Sequence, residues 1–156
     1  MIFDLFFTLS LILLNGFFVA AEFAIVKVRI SQIEMLSRSG NRFAVTAKHI
    51  IEHLDSYLSA TQVGITLASL GLGWVGEPVV AEIISAGMSV IGFHLSIIIT
   101  HQISFVIAFL LISTFHIILG ELAPKSIAIQ YSETVALAVA LPLRGFYIVF
   151  KPFIWS

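Results

Sequence analysis

The chain has 156 residues, 59% of them hydrophobic and 11% charged, with a mean hydropathy of +1.07 and a net charge of −1. A soluble domain carries about 25% charged residues, so this composition excludes an ordinary soluble fold and indicates an all-α integral membrane protein. The lack of cysteine excludes disulfides and thiolate metal sites; no nucleophile–base–acid set, phosphate loop or nucleic-acid patch is present, so no enzyme and no nucleic-acid partner is expected.

The first predicted span runs over about residues 2–26, long enough to cross at about 1.5 Å per residue. Asp4, Asn15 and Glu22 interrupt it. With Asp4 near its start and no cationic stretch before it, it reads as a retained span and not as a cleaved signal peptide. Residues 28–53 change character. Ile30, Ile33 and Leu36 repeat at helical spacing, Ser39-Gly40-Asn41 breaks the pattern, and Phe43, Ala47, Ile50, Ile51 and Leu54 resume it. Arg29, Arg38, Arg42 and Lys48 are interspersed, which predicts two short amphipathic juxtamembrane helices.

A second span is predicted over about 56–75. Ala60, Gly64 and Ala68 recur every fourth residue, a small-residue stripe that lets helices approach closely, with Thr61, Ile65, Ser69 and Gly73 beside it. Gly71 and Gly73 before Trp74 predict a helix end at an aromatic interface anchor, with 76–95 as the following loop. The uncharged run Ile83–Gly120 holds 38 residues. As one helix it would measure about 57 Å, nearly twice a bilayer core, so a break is predicted at Gly87–Gly92 and a third span over about 95–125. The last apolar segment, 133–150, contains Pro142 and Arg144. It is predicted as a juxtamembrane helix, with a complete fourth crossing as the alternative.

All eight Lys and Arg lie between Lys27 and Lys48 or between Lys125 and Lys151. The 27–53 segment holds five of them and is predicted cytoplasmic, while 76–95 holds none and is predicted external. The expected topology is three spans in the plasma membrane, with the N-terminus outside and the C-terminus in the cytoplasm. The basic segment is suited to anionic lipid at the bilayer surface.

The stretch FHIILGELAPKSIAIQ, residues 115–130, carries the strongest functional signal. Pro124 has no N–H to give residue i−4, and its ring clashes with that carbonyl. Residue i−4 is Gly120, so one carbonyl is freed beside Glu121. Freed backbone at membrane depth is tolerated only where it is buried in protein or lines a polar cavity. Carboxylate and carbonyl oxygens suit a hard cation such as Mg²⁺, Ca²⁺ or Na⁺. Equally, Glu121 and Lys125 stand at i, i+4 in the order that favours a helix ion pair. Asn15, Phe18 and Glu22 share one helical face; they would line a cation path, or Glu22 would pair with Arg29. Thr61, Gln62 and Thr66 place polar groups at bilayer depth, as ligands converging on Glu121 or as interhelical hydrogen-bonding groups. His94, His101 and His116 are spaced too widely for a metal cluster and read as interfacial or packing residues.

Three segments in order, NGFFVAAEFAIVKVR (15–29), LSATQVGITLASLGLGWVGEP (58–78) and GELAPKSIA (120–128), resemble the DUF21 transmembrane domain of the CNNM/CorC family, over nearly the whole chain. The resemblance implies a homodimeric membrane domain with three spans and a belt of juxtamembrane helices. In such proteins a cytosolic CBS-domain pair follows, which would be the partner of this domain. It also implies a role in Mg²⁺ export, with Na⁺ as the proposed coupling ion. The family's proline-lysine motif makes a π-type turn, which maps onto Gly120, Glu121, Pro124 and Lys125. Glu121, Thr61 and Gln62 are the expected metal ligands, and Asn15, Glu22 and Thr66 are expected to line the cavity. Ala21 and Ile65 stand where members with a described Mg²⁺ site tend to have a small polar residue and an Asn. The alternative function is a non-transporting sensor or anchor for the soluble domains.

Overall fold

A computed structural model describes residues 2–90 and 97–154, all of whose regular structure is helical. The first helix, α1, spans Ile2–Lys27. Two short helices follow, α2 at Ile30–Arg38 and α3 at Arg42–Glu52, as the alternating apolar and basic pattern predicts. Their separation is local chemistry. Gly40 adopts φ +88°, which only glycine enters freely. The Asn41 side chain then accepts from the Phe43 and Ala44 amides and caps α3.

Helix α4, Leu54–Gly71, does not stop at the glycines before Trp74. It passes through a π-turn, Leu72–Gly76, into α5, Glu77–Val90, correcting both the predicted helix end and the predicted 76–95 loop. The reason is conformational. Gly71 has φ −60° and ψ −42°, and Gly40 is the single positive-φ glycine among the described residues. Without a left-handed residue the helix widens instead of ending. The chain also remains helical through Gly87 to Val90, and Gly92 and His94 lie outside the described residues.

Helix α6, Ile97–Phe115, packs along α5. A second π-turn, His116–Leu122, joins it to α7, Ala123–Gln130. Helix α8, Ser132–Ile154, runs through Pro142 and Pro152 and packs on α1, α3 and α4.

Among the described residues, four helical stretches are long and apolar enough to cross a membrane: Phe3–Lys27, Leu54–Val90, Ile98–Gln130 and Ser132–Pro152. The fold is therefore all-helical, and these stretches fit a multi-pass membrane domain, with α2 and α3 between the first two. Its core joins α1 to α4 with α7 and α8. Phe18, Ala21 and Ile25 of α1 meet Ile33 of α2, Ile50 of α3, Tyr57 of α4 and Leu143 of α8 in one buried cluster. The small-residue stripe is buried as predicted: Ala60 is 0% exposed, Ala68 2%, and a Cβ on Gly64 would lie 2.6 Å from the Phe18 ring. That approach is possible only because Gly64 lacks the atom.

Candidate functional site: the polar ladder between α1 and the π-turns

Helices α1 and α4 run antiparallel with a repeat of seven residues. Glu22 meets Gln62, Asn15 meets Ser69, and Thr8 lies against Gly76, where a Cβ would be 3.0 Å from the Thr8 methyl. Beside these polar rungs, Phe18 covers Gly64 and Leu11 covers Gly71. Seven residues of helix rise about 10.5 Å, so the rungs follow one another along α1 at regular intervals. A strict seven-residue register is that of a left-handed helix pair.

The central rung reaches the second π-turn. Asn15 Nδ2 donates to the carbonyl of Gly120 at 3.0 Å, and Asn15 Oδ1 accepts from Ser69 Oγ at 3.3 Å. Asn15 is fully buried. The acceptor is the carbonyl that Pro124 deprives of its helical donor, so a side chain from α1 supplies the missing hydrogen bond. Two glycines make this approach possible. A Cβ on Gly16 would lie 2.9 Å from Pro124 Cγ and 3.1 Å from the Leu119 carbonyl oxygen. A Cβ on Gly120 would lie 2.7 Å from the His116 ring and 3.1 Å from Asn15 Nδ2.

Glu121 follows immediately in sequence. It is exposed, and among the described residues its carboxylate has no hydrogen bond or ion pair. The i, i+4 pairing with Lys125 does not form; the Lys125 ammonium lies 4.4 Å from the centre of the Phe23 ring, a cation–π contact.

The remaining candidate residues form a separate group. Gln62 Nε2 donates to both carboxylate oxygens of Glu22, at 3.0 and 3.1 Å, so Glu22 engages α4 and not Arg29. Thr61 is fully buried and donates to the Leu58 carbonyl at 2.8 Å. Thr66 donates to the Gln62 carbonyl at 2.8 Å and is exposed. Thus Asn15, Ser69 and Gly120 are joined in one hydrogen-bonded set and Glu22 with Gln62 in another, while neither Thr61, Gln62 nor Thr66 bonds Glu121. Among the described residues no three His, Cys, Asp or Glu side chains gather. Ala21 is fully buried, and Ile65 packs against the core cluster.

Sequence reasoning placed Ser69 only beside the small-residue stripe and took His116 as a packing residue. Both stand against the Asn15–Gly120 contact. The signal for Ser69 was present in the seven-residue spacing from Gln62, matched by the spacing of Asn15 and Glu22. The signal for His116 was its position four residues before Gly120, the same offset that links Gly120 to Pro124.

Residues 6–156 match the Cyclin M transmembrane N-terminal domain of the CNNM family. UPF0053 protein YrkA of Bacillus subtilis (strain 168) is 48% identical over 145 residues, covering 93% of this chain and 33% of its own length. UPF0053 protein YhdT of the same organism is 48% identical over 145 residues, covering 93% and 31%. UPF0053 protein sll0260 of Synechocystis sp. is 36% identical over 137 residues, covering 88% and 30%. The chain spans about a third of the length of these relatives. With the whole ladder and both π-turns inside the matched residues, the chain belongs to the CNNM family and forms its transmembrane domain.

Proposed function

We propose that this is the membrane domain of a divalent-cation transporter with Mg²⁺ as cargo and Na⁺ as the coupling ion. The observation that carries the reading is Glu121. It is an unpartnered carboxylate on a π-turn, at the end of a 38-residue uncharged run. Intramembrane carboxylates mark ion pathways. Mg²⁺ gives up its waters reluctantly and is commonly held by one or two carboxylates with several waters retained. A single carboxylate with backbone oxygens from the turn and retained waters fits that habit better than a closed protein cage.

The Glu22–Gln62 rung would then line the cytoplasmic approach, since it lies on the side of the basic 27–53 segment. We read the topology as three spans with the N-terminus outside. Helix α8 would lie beside the juxtamembrane helices, supported by the joint burial of Leu143 with Ile33 and Ile50. The functional unit would be a homodimer, and the additional length of the relatives would include a cytosolic CBS pair that senses or gates the membrane domain.

Mg²⁺ titration of the full-length chain in detergent, read as protection against thermal unfolding, tests the reading. Protection should be strong in the native protein and lost in Glu121→Ala. Equal protection of both contradicts it.

A further inference from the structure

Glu77 and His116 are the two residues with buried side-chain polar atoms that lack a partner among the described residues: Glu77 Oε1 and His116 Nε2. Both residues line one cavity of about 170 Å³, whose polar lining is completed by Ser69 and Ser113 and whose walls include Leu72 and Phe109. Buried polar atoms almost always find partners. Two orphans on residues that line the same space therefore point to an occupant.

Charge identifies the class of that occupant. Glu77 follows the first π-turn, and the chain holds no Lys or Arg from residue 49 to 124. Lys125 is engaged over Phe23. No side chain in the neighbourhood carries a permanent positive charge to balance the carboxylate, so the balancing charge comes from outside the chain. The donors are mostly hard oxygens, a carboxylate and two hydroxyls, which suit a hard cation. A buried water needs roughly 10–15 Å³ of such volume, so the cavity admits a cation together with several of its waters.

The cavity also connects to the Glu121 turn. Ser69 belongs to its lining and donates to Asn15, which in turn donates to Gly120. The His116 ring lies against the Gly120 Cα, as the 2.7 Å distance from a Gly120 Cβ shows. Each π-turn moreover has a Gly-Glu pair at or near its end. Gly76-Glu77 precedes Pro78, and Gly120-Glu121 precedes Pro124. Each presents a carboxylate next to a widened helical turn, on either side of Asn15.

We propose that this cavity is a second station on the cation path. A partly hydrated divalent cation is held there by the Glu77 carboxylate and the hydroxyl oxygens of Ser69 and Ser113, and His116 Nε2 bonds one of its waters. The station lies on the Trp74–Pro78 side of Asn15, and Asn15 separates it from Glu121. The inference rests on the reading of the chain as a cation transporter.

The test counts Mn²⁺ bound to the full-length protein in detergent by electron paramagnetic resonance, with Mg²⁺ as competitor. Two Mg²⁺-competed ions per chain are expected. Glu77→Gln should remove one and leave the other, and Glu121→Ala should remove the other. Ser113→Ala should weaken the Glu77 site roughly tenfold. A native count of one that Glu77→Gln leaves unchanged overturns the second station and spares the transporter reading. Sensitivity to Glu77→Gln together with indifference to Glu121→Ala supports the station and overturns the assigned role of Glu121. Should Glu77→Gln abolish all binding, Ser113→Ala decides: weakening at one site supports the station, and unchanged affinity overturns it.

Discussion

Asn15 donates its side-chain amide to the carbonyl of Gly120 across 105 residues of sequence, at 3.0 Å. The bond joins the middle of the first helix to the point where Pro124 removes a helical donor. It therefore determines how α1, α4 and the second π-turn sit together. Replacement of Asn15 by Leu should leave the Gly120 carbonyl and the Ser69 hydroxyl without that partner. A cost of about 1–3 kcal/mol is expected, seen as a lower Tm in detergent. Ser69→Ala, which removes only the longer bond, should cost less.

The glycines give a graded test of the close approach. Gly16→Ala would drive a methyl toward Pro124 and the Leu119 carbonyl, contacts of 2.9 and 3.1 Å that involve a rigid ring and backbone. Overpacking of this kind costs about 1–3 kcal/mol. Gly145→Ala on α8 meets nothing within 4 Å. It should be neutral or stabilising by up to about 1 kcal/mol through helix propensity. Thermal unfolding of the two variants side by side separates packing from propensity.

The Glu22–Gln62 rung is exposed, so its energetic weight is modest. A double-mutant cycle with Glu22→Ala and Gln62→Ala should return a coupling of about 0.5–1.5 kcal/mol. A coupling near zero would mean that the rung aligns no helices.

His49 provides the pH-dependent element, and it lies on α3, outside the candidate spans. Its ring stands 4.4 Å from that of His53 and 6.2 Å from that of Tyr57. Lost hydration, then the charges of His53 and Arg144, hold its pKa below the usual 6.5. The unfolded chain therefore binds the proton more readily. Stability is unaffected above pH 6.5 and falls as the pH is lowered through that value toward the depressed native pKa. The ring keeps part of its surface in solvent, so the slope is shallow. His49→Gln should flatten the decline in Tm below pH 6.5, leaving stability at pH 8 nearly unchanged.

The helical architecture, the two short helices α2 and α3 and the buried stripe were legible because hydrophobic periodicity, Asn41 and Gly40 act locally. The continuity through Gly71 and Gly73 was not, because glycine permits a helix end without requiring one, and the π-turn satisfies the backbone by widening. For the site, Pro124 and Gly120 were legible through the i−4 rule. The partner of that carbonyl was not, because Asn15 lies far away in sequence and only the α1–α4 register brings it there. Gln62 was placed among the ligands as a polar group at bilayer depth; its contact with Glu22 comes from the α1–α4 register.

Mg²⁺ flux into proteoliposomes tests the central claim most directly. The full-length protein would be reconstituted with a trapped Mg²⁺ indicator and compared with Glu121→Ala inserted to the same level. The account predicts Mg²⁺-dependent flux in the native protein and loss of at least tenfold in the variant. Equal flux in both, or none from a correctly inserted native protein, would contradict it.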